Sequence, residues 1–343
     1  MEKMCLKGMN QMELESLCIE AGETNFRGLQ LFEWMYRHGI SSFDSMLNVN
    51  KSFREYLEEH YILQTLKLEK SMPSKQDNTV KILFKTQDDY FIETVSMVDG
   101  DRHTVCISSQ VGCALDCSFC ATGNLGLKRN LNSGEIIDQL IYVRRNIDHP
   151  VTNVVFMGMG EPFHNYDNVI NAADIFHSPK GFNLASTRIT FSTAGLLPQI
   201  KQFIKEKRPY KLAISLNASN NRVRSNIMPI NKKWSIKELI KAGEKYSNQK
   251  KRLIMFEYVL LKGINDSEND ALELARQLQG VPCKLNLIPY NETEGKYQRS
   301  DEDVIMRFSK ILYENRDGYR VLVRWSKGQD IDAGCGQLAG KTP

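Results

Sequence analysis

No stretch of the 343 residues approaches the roughly 20 consecutive apolar residues that a membrane-crossing helix needs. The opening MEKMCLKGMNQMELES has no apolar run, so no secretory signal is expected and the protein is expected in the cytoplasm. Charge of one sign is also lacking. The 45 Lys and Arg against 41 Asp and Glu leave a net charge of +4, compatible with a nucleic-acid partner without arguing for one. Internal repeats and low-complexity tracts are absent, which excludes a solenoid. The fingerprint G-x-G-x-x-G is absent, which argues against a dinucleotide-binding doubly wound sheet. The 6 histidines lack metal-ligand spacing, and His103, His149, His164 and His177 attract no role. With 41% hydrophobic and 25% charged residues the chain can fill one large domain and a small one.

What the sequence does have is cysteine, 8 in all. In a reducing compartment these are ligands, catalysts or core filler before they are staples. Cys5, Cys18 and Cys283 read as filler. The stretch CISSQVGCALDCSFC gathers Cys106, Cys113, Cys117 and Cys120, and the last three form C-x-x-x-C-x-x-C. Electron-transfer clusters use four cysteines and close every iron. Three thiolates in one tight loop can hold three irons of a cubane and leave the fourth open to a small molecule. A closed zinc site is the competing reading, but zinc knuckles usually come in pairs and no second C-x-x-C exists here. A disulfide framework belongs to small secreted chains.

Residues 1–65 read as helices: FRGLQLFEWMYRHG carries apolar residues at helical spacing and ends at Gly39, and KSFREYLEEHY puts Phe53, Leu57 and Tyr61 on one side. Over residues 66–98 the period changes, and VKILFKT and YFIETVSMV, separated by a polar turn, predict a β-hairpin. From residue 99 to 343 the pattern is strand, loop, helix. Candidate strands are TVCIS, NVVFM, RITFS, KLAISL, LIMFEYVLL, CKLNLIPY and YRVLVRW, with amphipathic runs such as SGEIIDQLIYVRRN and SIKELIKAGEKYS between them. This predicts an α/β fold with a barrel-like βα array, whose chemistry sits where strands end. Glycines, hydroxyls, an acid and amides fall there: Gly158, Gly160 and Glu161 in GMGEP, Ser192 in STAG, Ser215, Leu216 and Asn217 in SLN, and Asn291 in PYN. The basic runs KEKRPYK, NNRVRSN, NKKW and NQKKRL offer phosphate contacts, although each alone is an ordinary solvated helix end.

With these motifs in view, the chain resembles the RlmN/Cfr group of radical S-adenosylmethionine (SAM) RNA methyltransferases. The resemblance runs from Phe26, Arg27, Gln30, Trp34 and Tyr36, through IETV with Glu93 and CISSQVGCxxxCxFCATG, to FMGMGEP, STAG, MPIN, KGIND, NLIPYN and DIDAxCGQLAG with Cys335. It departs from the family pattern at Asn217, where the family has His, at Gly334, where it has Ala, and in the FHN and ETEG stretches after GMGEP and NLIPYN.

The resemblance implies a partial (β/α)6 radical SAM barrel with a small N-terminal helical accessory domain. It implies a [4Fe-4S] cluster on Cys113, Cys117 and Cys120. SAM contacts would come from Gly160, Glu161, Ser192, Ser215, Leu216, Asn217 and Asn291. The adenine ring carbons C2 and C8 do not attack a methyl sulfonium as amines do, so a radical route is required. In the implied route a first SAM methylates Cys335, a 5′-deoxyadenosyl radical from a second takes hydrogen from that methyl, and the carbon adds to adenine. Glu93 would accept a proton, and Cys106 would attack Cys335 to release the base through a transient disulfide. The implied substrate is an adenosine of 23S rRNA, with tRNA as a second class. An electron donor such as flavodoxin or ferredoxin is implied, and a monomer is expected. Val111, Pro162 and Pro289 fit the branch that methylates C2 better than the Cfr-like C8 branch. A non-enzymatic metal-cluster RNA-binding module is the reading from a different class.

Overall fold

Ten strands form one sheet whose order in space is their order in sequence. The structure, a computed structural model, describes residues 3–340. Strands β1 (Leu66–Pro73), β2 (Thr79–Thr86), β3 (Phe91–Asp99) and β4 (Arg102–Cys106) are antiparallel to one another in turn. From β4 onward every pairing is parallel, through β5 (Asn153–Phe156), β6 (Ile189–Thr193), β7 (Lys211–Ser215), β8 (Ile254–Leu260), β9 (Cys283–Pro289) and β10 (Tyr319–Val323). Strands β4–β9 are the six of the partial barrel, and β10 adds a seventh parallel strand. All seven sequence-predicted strands are therefore present. Their centres are unbroken apolar runs (Val154, Val155 and Phe156; Leu212, Ala213 and Ile214) buried within the fold, the signature of a covered parallel sheet.

The predicted hairpin is β2 and β3, but it is no separate linker. β3 hydrogen-bonds into the barrel through β4, with Asp99 opposite Arg102, so the boundary expected near residue 98 falls inside one sheet. β1 escaped the sequence reading because LKLEKSMP is an exposed edge strand with little apolar alternation.

Helices α1 (Gln11–Glu20), α2 (Phe26–Phe32) and α3 (Lys51–His60) make the N-terminal unit, α2 continuing into a π turn at Glu33–Arg37. Around the barrel follow α4 (Ser133–Asn146), α5 (Tyr166–His177), α6 (Leu197–Lys205), α7 (Ile236–Lys250), α8 (Glu268–Leu278) and α9 (Glu302–Glu314). Capping boxes start α4 (Asn132 with Glu135), α7 (Ser235 with Glu238) and α8 (Ser267 with Asp270), so each helix start is written into the sequence.

The N-terminal unit is fastened to the barrel by a buried charge. Lys7 donates from its ammonium to Asp138 on α4, and the other oxygen of Asp138 accepts from the Thr65 amide at 2.6 Å. Asp138→Ala leaves the Lys7 ammonium buried without its partner. That change is expected to cost about 3–5 kcal/mol of stability in chemical denaturation. A loss under about 1 kcal/mol would show that the tie contributes little.

Candidate active site

The cluster loop is held from two sides and folded on itself. Cys113 donates its amide to Gly126 O at 3.1 Å, Ser118 donates to Ile227 O at 3.0 Å, and Cys120 donates to Cys117 O at 3.0 Å. A short helix, Ala121–Asn124, begins directly after Cys120. Its first amide, on Ala121, donates to Gly336 O at 2.8 Å. That bond joins the residue after the last cluster cysteine to the residue after Cys335, across 215 positions of sequence.

Cys113, Cys117 and Cys120 line a cavity of about 170 Å³. Gly160, Glu161, Ser192, Ser215, Asn217 and Cys335 share its wall. Among the described residues no three Cys, His, Asp or Glu groups converge as one metal ion would require. The three cysteines of one short loop offer sulfur ligands, the donors that iron–sulfur clusters take. Burial pushes the Cys113 thiol up to about 12 and Cys117 well above its usual range, so these thiols are neutral until a metal takes the proton's place.

The cavity wall also carries a buried acid able to accept hydrogen bonds. Glu257, at the middle of β8, is 5% exposed; one carboxylate oxygen accepts from Ser192 Oγ at 2.7 Å, and the other, Oε1, is buried with no hydrogen-bond partner. The Arg324 guanidinium stands 4.0 Å from that oxygen, an ion pair without a hydrogen bond, which leaves it able to accept from an occupant of the cavity. Sequence reasoning missed Glu257, because a lone acid in LIMFEYVLL reads as an outward residue of a strand. The interruption of an apolar run by one acid was the available signal.

Glu161 lies at the cavity with its carboxylate accepting from the amides of Phe163 at 3.0 Å and Ala194 at 2.7 Å. Burial pushes its carboxyl up to about 7, and those hydrogen bonds oppose the rise. Gly160 needs its glycine for packing. At φ +94°, a Cβ there would lie 2.4 Å from Gln110 Cβ, so the constraint is packing of the 158–162 turn on Gln110. Asn217 also takes a left-handed backbone (φ 54°) and accepts the Val259 amide at 2.9 Å, bridging β7 to β8. Leu216 does not line the cavity. Its side chain is fully buried, and only its backbone, donating to Glu257 O at 2.9 Å, touches the site.

Asn291 is placed differently from its expected role. Its amide donates to Cys335 O at 3.1 Å, so it holds the cysteine loop and does not line the cavity with the three cluster cysteines. The departure at Gly334 fits this arrangement, since a Cβ there would meet Asn291 Cγ at 2.6 Å. Glu93 is likewise away from the cavity wall. It accepts from the amides of Ala339 at 2.7 Å and Gly340 at 3.0 Å, with Lys81 at 3.5 Å, and so anchors the chain beyond Cys335.

A second, larger cavity of about 710 Å³ lies on the inner face of the sheet. Cys106, the last residue of β4, lines it, and so does Cys335. Cys335 thus forms part of both walls. Burial pushes Cys106 up to about 12, and nearby Cys335 adds to the rise. Burial raises Cys335 as well, opposed by the Arg324 guanidinium.

Of the basic runs, NNRVRSN is corrected in part. Arg224 is fully buried, donating to the carbonyls of Leu216 at 2.8 Å, Ala194 at 2.6 Å and Ser215 at 2.9 Å. It ties together the strand ends that wall the cavity and cannot reach a phosphate outside. Burial without a carboxylate partner brings it down to about 10.

A parallel barrel sheet and a three-cysteine loop after its first strand, lining a cavity with buried acids, are the marks of a radical SAM enzyme. The Radical SAM superfamily model matches residues 107–275, and the model for the ribosomal RNA large subunit methyltransferase N-terminal domain matches residues 4–63. The chain is 41% identical to the "Dual-specificity RNA methyltransferase RlmN" of Geotalea uraniireducens over 99% of its length and 98% of that protein. It is 43% identical to the "Probable dual-specificity RNA methyltransferase RlmN" of Bacillus velezensis, over 96% of this chain and 91% of that one. The crystal structure of a radical SAM methyltransferase from Sphaerobacter thermophilus superposes with a TM-score of 0.94 at 42% identity, covering 98% and 100% of the two chains. The chain belongs to the RlmN family. Among the described residues no helix is long and apolar enough to cross a membrane.

Proposed function

We propose that this protein methylates a ring carbon of an adenosine, C2, in 23S rRNA and in tRNA, through an S-methyl group carried on Cys335. The observation that supports this most is the place of Cys335 in the wall between the cavity of the cluster cysteines and the larger cavity of Cys106. A carrier between a SAM site and a nucleobase site has to stand on both.

Cys113, Cys117 and Cys120 would hold a [4Fe-4S] cluster, which with SAM supplies a 5′-deoxyadenosyl radical when bound and reduced by a donor such as flavodoxin or ferredoxin. Glu161, on the wall of that cavity, would meet the ammonium of SAM. Cys335 takes the methyl as a thiolate by displacement at the sulfonium carbon. Arg324 favours that thiolate. Cys106, buried and neutral, is kept from premature attack and later forms the disulfide with Cys335 that breaks the carbon–sulfur bond to the base. Glu93 either takes the ring proton or acts by holding residues 339 and 340.

Removing the charge in Arg324→Met is expected to push the Cys335 thiol up further. Methyl loading at about pH 7 then falls about tenfold for every pH unit of that rise. The two pH profiles converge only above the thiol's ordinary value of 9.0. Parallel profiles would remove Arg324 from this role. The function itself is tested by mass spectrometry of rRNA and tRNA nucleosides from cells with and without the gene. Gene-dependent 2-methyladenosine is expected; gene-dependent 8-methyladenosine would assign the chain to the C8 chemistry instead, and neither would defeat the proposal.

A further inference from the structure

The larger cavity runs down the barrel lumen from Cys106, at the end of β4, to the strand beginnings on the opposite side. There its wall is cationic. Arg102 is the first residue of β4 and Lys211 the first of β7; Lys284 and Arg320 are the second residues of β9 and β10, and Arg252 lies just ahead of β8. Lys284 and Arg320 are direct cross-strand neighbours, an arrangement that repels unless an anion lies between them. Among the described residues none of these five makes an ion pair. The two other cations of the wall do, Lys327 with Asp99 at 3.0 Å and Arg324 with Glu257 at 4.0 Å, and Asp99 is the wall's one acid. Repulsion from Lys284, Arg102, Arg252 and Arg188 adds to burial in holding the Lys211 ammonium below its usual range.

We infer that this end of the lumen is a phosphate-binding floor, which takes the sugar–phosphate backbone of single-stranded RNA beside the target adenosine. The inference rests on the RNA reading above and says by which face the RNA enters. Five cations without a carboxylate partner, on four strands and just ahead of a fifth, exceed what one small anion would fill, although Arg252 also donates to Pro209 O at 2.9 Å and Arg102 to Thr104 Oγ1 at 3.1 Å. A cavity of about 710 Å³ does not admit a duplex, so the strand must be unpaired or its base turned out. Trp325 on the same wall is 44% exposed, with the Arg299 guanidinium 5.4 Å from its ring centre. An exposed aromatic among cations is the stacking platform of single-strand binders. Lys211 and Cys106 line the same cavity, so a phosphate on the floor leaves its base within the lumen that holds the thiol.

The test measures binding of a fluorescein-labelled RNA hairpin, with one unpaired adenosine in its loop, to anaerobic, cluster-loaded protein across a range of salt. Lys211→Ala with Lys284→Ala should weaken binding about tenfold at about 0.1 M salt. It should reduce the slope of log K against log salt by about 1.4, two contacts' worth for a single strand. Lys211→Arg with Lys284→Arg should restore both, which guards against a folding defect. Lys237→Ala with Lys241→Ala, on the exposed face of α7 outside the cavity, makes the same charge change and should leave the slope as it was. An unchanged slope in the lumen pair, or an equal change in the surface pair, overturns the floor. Methyl loading of Cys335 from SAM needs no RNA and is followed in parallel. Its absence from the wild type would defeat the carrier reading, while the slopes would still decide the floor.

Discussion

Cys335→Ala is expected to bring RNA methylation to background while the anaerobically purified protein stays brown, with iron and sulfide at wild-type levels. The separation follows from the geometry. Cys335 lines the cavity of the cluster cysteines but belongs to a different segment, joined to theirs by the Ala121–Gly336 hydrogen bond and the donation from Asn291. Those contacts are made by backbone atoms of the loop and survive loss of the thiol. The cluster ligands are untouched, and only the methyl acceptor disappears. Intact-protein mass spectra should show the methyl-sized gain in wild type and none in the variant. A gain still seen in the variant would place the carrier at another residue.

Cys106→Ala is expected to give the opposite block. Methyl loads on Cys335 and the carbon adds to the base, but nothing displaces Cys335 from the product. Protein covalently joined to RNA should accumulate, with free methylated RNA at background. Cys106 is fixed on β4 between Val95 and Val155, and its replacement by a smaller side chain removes a thiol from the lumen wall without touching the cluster loop. The adduct should map to the peptide containing Cys335. Free product formed at the wild-type rate would show that release does not need Cys106.

Residues whose job is set by local chemistry were legible in the sequence. Three cysteines at short spacing announce themselves, and alternating apolar strands and capped helices fix the barrel. What depends on distant packing was not legible. Arg224 sits in a basic run and reads as surface, yet it is folded inward to hold three carbonyls. Glu257 reads as a strand residue and turns out to be buried on the cavity wall, between Ser192 and Arg324. Asn291 ends a strand as a ligand contact would, but β9 aims it at Cys335. Lys211, Lys284 and Arg320 are far apart in sequence, and only the parallel register sets their strand beginnings side by side.

The carrier role of Cys335 is tested most directly by a chase. Protein loaded with isotopically labelled methyl from SAM is freed of excess SAM, then given unlabelled SAM, a reductant and RNA. The account predicts that the label leaves the Cys335 peptide and appears on adenosine in the first turnover. Unlabelled methyl on the RNA, with the label still on Cys335, would contradict it.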